Sequence, residues 1–185
     1  MEFDLQLFLW INSTLTHPVL DGVAIVLSAI GAWPVGVAGF VLVLGCAPKD
    51  CCKGLALRYV IGILLVHFAT LGLKHGVDAQ RPAWRLEEEV ASGELEVRFL
   101  FDPMPMKRSF PSGHTALAFF AMGTVALTRR EWGVPALLIA LGVGWSRIYS
   151  GCHFPIDCVV GALLGSALVW VIGWRAQWAS QSAPR

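Results

Sequence analysis

Charge is scarce in this sequence. Only 15% of its 185 residues are Asp, Glu, Lys or Arg, against 56% that are hydrophobic, and the mean hydropathy is +0.63. A soluble globule of this length leaves much of its chain in water and needs more polar surface than these residues supply. A soluble enzyme is therefore a poor reading, and a multi-spanning membrane protein a good one. Neither sign of charge is in excess: the net charge is +1, which gives no reason to expect nucleic acid as a partner. Basic residues are missing from the N-terminus, where MEFDLQLFLW carries Glu2 and Asp4 and no small-residue cleavage site follows. The mature chain is expected to start at Met1. Zinc spacing is missing as well. The five cysteines, at 46, 51, 52, 152 and 158, fit no such pattern, and small apolar packing is their expected use rather than metal or disulfide.

Long apolar runs are what the chain has in quantity. A membrane-crossing helix needs about 20 mostly apolar residues. The first run, Pro18 to Cys46, is broken by Gly31 and Trp33-Pro34 and reads as one kinked span or two short ones. Further runs cover Gly54 to His75, Gly113 to Thr128, Val134 to Ile148 and Pro155 to Trp174. The third and fourth of these five runs, Gly113 to Thr128 and Val134 to Ile148, are short, so the bilayer is expected to thin around them or their ends to lie below its surface. The expected fold is all-α, a single polytopic bundle of five or six transmembrane helices over residues 1–185. An amphipathic or partly inserted helix, Met1 to Asn12, precedes it.

Orientation follows the basic residues. Lys49, Lys53, Arg58, Arg129, Arg130, Arg175 and Arg185 share connections with only Asp50 and Glu131, and that side is expected to be cytoplasmic. The long loop Val77 to Pro111 carries Asp78, Glu87, Glu88, Glu89, Glu94, Glu96 and Asp102 and is expected to face outward.

Three clusters interrupt the apolar pattern, all on the outward side of that topology. KHGVDAQRP, Lys74 to Pro82, reads plainly as snorkelling basic anchors. SFPSGHTA, Ser109 to Ala116, reads as a helix start with Ser112 as N-cap. The free N–H groups of Gly113 and His114 would favour an anion there, and Gly113 would let it approach the backbone. SRIYSGCHFPID, Ser146 to Asp157, sets Arg147 at the end of one span and His153 before the next. Pro155 suits the first helical turn, and Asp157 is placed to accept the ring N–H of His153. Each plain reading suffices alone, but ionisable residues at membrane depth point to function by default. Together the clusters form an oxyanion site with acid–base machinery. Fixed cations and N–H donors suit phosphoryl transfer, with one histidine attacking and the other protonating the departing oxygen. These motifs contain no carboxylate cluster suited to Mg²⁺, which favours chemistry without a metal or other cofactor.

Lys74 and Arg81-Pro82 match K-x6-R-P, Pro111 to His114 read P-S-G-H, and Ser146-Arg147 with His153 and Asp157 match S-R-x5-H-x3-D. This three-part signature resembles the type 2 phosphatidic acid phosphatase superfamily of membrane lipid phosphatases, which shares its site with the vanadium haloperoxidases. The resemblance covers roughly Leu55 to Trp174. It implies a metal-free phosphatase in which His153 forms a phosphohistidine, Asp157 orients it, and His114 is the general acid. Lys74, Arg81, Ser112, Gly113 and Arg147 would hold the phosphate oxygens. The implied partner is a lipid phosphate or diphosphate in a bacterial plasma membrane. Undecaprenyl diphosphate is preferred over phosphatidylglycerophosphate or lipid A 1-phosphate. A soluble haloperoxidase conflicts with the spans, and a non-enzymatic lipid-binding or transport protein leaves the histidines unexplained. The Gly161-x-x-x-Gly165 pattern is expected to pack within the monomer. His17, His67 and His75 match no motif.

Overall fold

The computed structural model describes residues 2–46, 52–101 and 106–181, and every regular element among them is helical. The elements are α1 (Glu2–Leu9), α2 (Pro18–Ile30), α3 (Trp33–Cys46), α4 (Cys52–Val77), α5 (Pro82–Arg85), α6 (Glu87–Ala91), α7 (Gly113–Thr128), α8 (Gly133–Tyr149) and α9 (Pro155–Gln181). A π-helical turn, Trp10–Thr14, continues α1. The side chains of Cys46, Cys51 and Cys52, together with Lys49, Asp50, Asp102, Arg175 and Arg185, fall outside what is described.

Among the described residues two stretches are long and apolar enough to cross a membrane by themselves: Lys53–Ala91, which takes in α4 from its second residue, and Pro155–Gly173 within α9. The pair Glu2–Thr14 and Pro18–Ile30, which meet at 118°, reaches that length only when taken as one broken span. Large apolar side chains such as Leu64 and Phe68 on α4, Leu138 on α8 and Leu163 and Trp170 on α9 stand exposed on the outside of the bundle. In water so much contiguous apolar surface would drive association; against acyl chains it is the natural exterior.

Helix α7 is the hub, packing against α3, α4, α8 and α9. Its contact with α9 is set by glycine. A Cβ on Gly161 would lie 2.5 Å from the Ser112 carbonyl oxygen, and one on Gly165 would collide with the Ala116 carbonyl oxygen. The G-x-x-x-G pattern thus brings two helices of one chain into backbone contact. The seam is fastened at its head by the Ser112 N–H, which donates to the Asp157 carbonyl oxygen at 2.9 Å. Around it Tyr59, Phe120, Val125, Val143 and Val169 form the buried core.

A second buried cluster lies at the end of the bundle where α9 begins. Phe8 of α1 stacks on Phe154 with centroids 5.2 Å apart, and the Asp4 carboxylate accepts the Ile156 N–H at 2.9 Å. Asn12, fully buried, donates to the carbonyl oxygens of Arg98 and Tyr149 and accepts the Arg98 N–H, each at 2.8 Å. Arg98 pairs with Asp21 at 2.7 Å, and the Tyr149 hydroxyl donates to the same carboxylate at 2.6 Å. The long loop is therefore tied to α1, α2 and α8. Gly151, at φ +76, completes the closure: a Cβ there would meet the Arg98 carbonyl oxygen at 2.6 Å.

Gly161→Val should separate α7 from α9, because its branched side chain has only backbone to displace. We expect a loss of about 1–3 kcal/mol in detergent unfolding and a loss of turnover. Gly72→Ala, where a Cβ meets nothing within 4 Å, should change neither.

Candidate active site

The three sequence clusters meet at one end of the bundle. Lys74 stands in the last turn of α4, and its ammonium donates to the carbonyl oxygens of Arg108 at 2.6 Å and Ser109 at 3.4 Å. Arg81 immediately precedes α5. Its Nε donates to the Lys107 carbonyl oxygen and its Nη1 to that of Cys152, each at 3.0 Å. These backbone acceptors, in the loop before α7 and the turn between α8 and α9, hold both cations in place, with protons left for a ligand.

Ser112 caps α7. Its hydroxyl oxygen accepts from the Thr115 N–H at 3.5 Å and the Thr115 hydroxyl at 2.9 Å, leaving its own proton to donate. A Cβ on Gly113 would meet nothing within 4 Å, so the space beside the first N–H groups of α7 is open. His114 follows in the first turn, in electrostatic reach of Arg147, Arg81 and Lys74. Arg147, in the last turn of α8, is 9% exposed, and its Nε is buried with no hydrogen-bond partner. Its guanidinium lies 5.7 Å from the Phe101 ring centroid. A buried guanidinium N–H without an acceptor is costly, and an anion entering the site would supply one.

His153 lies in the turn between α8 and α9 and is 2% exposed. Its Nδ1 is 3.4 Å from Asp157 Oδ2. A third residue sits between them. Ser109 Oγ is 3.3 Å from His153 Nδ1 and donates to Asp157 Oδ2 at 2.5 Å, while the Phe154 N–H donates to the same oxygen at 3.0 Å. With its proton given to the carboxylate, the Ser109 oxygen can accept from Nδ1–H. The matching tautomer leaves Nε2 bare. Arg81 Nη1, a permanent donor 3.5 Å away, fits only that form. Burial first, then the positive charges of Arg81, Arg147 and Lys74, push the His153 imidazole well below its ordinary range.

Ser109 lies in the SFPSGHTA stretch but carries no mark in sequence, because its partners are 44 and 48 residues away. The N-terminal brace is equally unmarked: Asp4 and Phe8 act on the start of α9 from the other end of the chain. Cys152 and Phe154, without a role in the sequence reading, present a carbonyl oxygen to Arg81 and a backbone N–H to Asp157. His17 is the N-cap of α2, and His75 bonds the Leu71 carbonyl oxygen within α4. Among the described residues no three His, Cys, Asp or Glu side chains group as metal ligands.

Such a helical bundle, with an apolar exterior and a buried arginine and two half-buried cations grouped with two histidines, belongs to the class of integral membrane proteins suited to an oxyanion. Residues 55–181 match the PAP2 superfamily, and the chain belongs to it. The match to the undecaprenyl-diphosphatase of Sulfolobus acidocaldarius is 38% identical over 37% of this chain and 34% of that one. Phosphatidylglycerophosphatase B of Escherichia coli is 43% identical over 37% of this chain and 29% of its own length. These likenesses thus span about a third of the curated relatives. Among solved structures, Aquifex aeolicus LpxE superimposes with a TM-score of 0.72 at 31% identity, covering 91% of this chain and 93% of that one.

Ser109→Ala should lower kcat by about 10- to 100-fold with little change in KM, the loss expected of a hydrogen bond to a charged group. Ser109→Thr should recover most of it. In the pH profile of kcat/KM, the neutral form of His153 is the one with a free Nε2, and its lowered pKa keeps that form populated on acidification. The acid limb should therefore fall below the ordinary imidazole value of 6.5.

Proposed function

We propose that this chain hydrolyses the terminal phosphate of a lipid phosphate or diphosphate at the outer face of a bacterial plasma membrane. The observation that carries the reading is the grouping of Arg81, Arg147, Lys74 and His114 within electrostatic reach of His153, whose Nε2 faces Arg81 Nη1 at 3.5 Å, while Arg147 Nε has no partner among the described residues. His153 Nε2 attacks phosphorus, forming an N–P bond as the bond to the leaving oxygen breaks, and that oxygen takes its proton from His114. Lys74, Arg81, Arg147, the Ser112 hydroxyl and the Gly113 N–H hold the equatorial oxygens as charge spreads over them. Asp157 and Ser109 keep the His153 proton on Nδ1. A water molecule, deprotonated by His114, then attacks the phosphohistidine, releasing inorganic phosphate and restoring neutral His153. No step requires a metal.

The topology that suits this reading has five spans. Residues 18–46 cross once through the α2–α3 break, and α4, α7, α8 and α9 follow, with α1 lying across the site end. Lys53, Arg129 and Arg130 then share the opposite, cytoplasmic end. Undecaprenyl diphosphate and acylated lipid phosphates both fall in the proposed substrate class. The segments matched in the curated relatives span about a third of each, and the choice of lipid falls to the surface that meets its chains.

Protein purified in detergent should release inorganic phosphate from at least one of undecaprenyl diphosphate, phosphatidylglycerophosphate and lipid A, with EDTA present. No release from any of the three would leave a lipid-binding or transport role as the better account. His153→Ala should abolish release while preserving the unfolding transition, and vanadate should inhibit the native protein. Near-normal turnover in His153→Ala would overturn the nucleophile. With Glu94→Cys in the long loop, an impermeant maleimide should label intact cells; labelling only after lysis would reverse the orientation.

A further inference from the structure

Beside the phosphate site a cavity of about 270 Å³ opens between α4, α7 and the α2–α3 break. Lys74, Gly113 and His114 stand at its head, so it is continuous with the proposed phosphate pocket. Below them its wall is mostly apolar, with Ile63, Leu71 and Leu117, as befits the chains of a lipid. One polar side chain interrupts this wall with its hydrogen-bonding capacity unspent. His67 lines the cavity and is exposed, its ring meets only the edge of Phe68 at 5.5 Å, and no hydrogen bond to its nitrogens is made among the described residues. Thr70, next to it, turns its hydroxyl back to the carbonyl oxygens of Val66 and His67 at 2.8 and 2.9 Å.

His67 and Lys74 are seven residues apart on one helix, two turns, so they share a face with a rise of about 10 Å between them. The facing wall is Gly31 and Ala32, where α2 stops and α3 begins. A helix start leaves backbone N–H groups without intrahelical acceptors, and in a lipid environment these need a partner. The Gly31 N–H is spent on the Leu27 carbonyl oxygen at 2.8 Å, which leaves His67, about two turns below Lys74, as the polar side chain on this wall. An isoprenoid chain has no oxygen to offer at that depth. An acylated headgroup does, since its ester or hydroxyl oxygens follow the phosphate at about this reach.

We propose that His67 forms a polar collar on this cavity wall that selects lipids carrying ester or hydroxyl oxygens roughly two helical turns below the phosphate. This rests on the phosphatase reading above and narrows its substrate to acylated lipid phosphates rather than polyprenyl diphosphates. His67 is a specificity residue that touches the lipid and takes no part in the chemistry.

The test is the ratio of kcat/KM for phosphatidylglycerophosphate to that for undecaprenyl diphosphate, in mixed micelles with EDTA, for the native protein, His67→Leu and His67→Gln. The ratio cancels any general loss of folded protein. It should favour the acylated lipid in the native protein and fall about tenfold in His67→Leu, mainly through KM, as expected for one lost hydrogen bond. His67→Gln, which keeps a donor and an acceptor, should restore most of it. An equal ratio in native protein and His67→Leu, or a native protein active only on undecaprenyl diphosphate, overturns the collar and leaves the phosphatase standing. Absence of phosphate release from both lipids, in a native protein that also fails on lipid A, overturns the phosphatase and the collar with it.

Discussion

The backbone contact between α7 and α9 is the constraint on which the rest depends. Helices in lipid gain little from burying apolar side chains against one another, so they hold together by close fit and by polar contacts. Gly161 and Gly165 let α9 lie directly on the carbonyl groups of Ser112 and Ala116, and the Ser112 N–H closes the head of the seam on Asp157. Everything chemical hangs from that junction. The N-terminus of α7 and the turn that carries His153 before α9 are joined there by the Ser112 N–H on the Asp157 carbonyl oxygen. A wider crossing would move the nucleophile and the helix start apart together.

Charge is distributed around this junction in an unbalanced way. Lys74, Arg81 and Arg147 converge with one carboxylate, Asp157, and that carboxylate is engaged by Ser109 and Phe154 rather than by a cation. Lys74 and Arg81 are held by backbone carbonyl oxygens that carry no net charge, and Arg147 Nε has no partner among the described residues. Burying like charges this way is unfavourable, and fixed donors of one sign repay it only when an anion arrives. The same field bears on His153. It disfavours the imidazolium, which keeps Nε2 free, so the groups that grip a phosphate also prepare the group that attacks it. Lock-down of Arg81 by the Cys152 and Lys107 carbonyl oxygens matters for the same reason, since preorganised donors need no rearrangement as charge develops.

Much of this was legible in the sequence, and the limits have physical causes. Gly113 to Thr128 was bounded correctly because its cap, its periodless apolar run and its basic exit are all local signals. The run Val134 to Ile148 falls within one residue of each end of α8, and Pro155 is the first residue of α9, for the same reason. The break at Gly31 was visible, but not whether it made one crossing or two, because that depends on how α2 and α3 pack: α2 on α8, α3 on α7. Ser109 was invisible, since a serine two residues before a proline carries no hint of partners more than forty residues away. So was the brace of Asp4, Phe8 and Asn12. Asn12-Ser13-Thr14 fits the sugar-acceptor pattern, which is too short to carry weight, and the fold shows Asn12 wholly buried with its amide fully bonded. Sequence spacing locates a side chain along its own helix and is silent about what crosses in front of it.

The brace and the groove show how the bundle separates two demands. Reaction at phosphorus needs rigid geometry, and the His153 turn is fixed from four directions: α1 through Asp4 and Phe8, the long loop at Gly151, Arg81 on the Cys152 carbonyl oxygen, and Ser109 on the ring. Accepting a long, disordered chain needs the opposite, an opening with few directional contacts. The cavity under Lys74 and His114 lies on the other flank of α7, bounded by α4 and the α2–α3 break and touching none of those fastenings. Side chains there can vary in size and polarity without moving His153. A lipid's chains and its phosphate are thus handled by surfaces that meet only at the head of α7. Choice of lipid can change through residues such as His67, while the attack on phosphorus stays with the turn before α9.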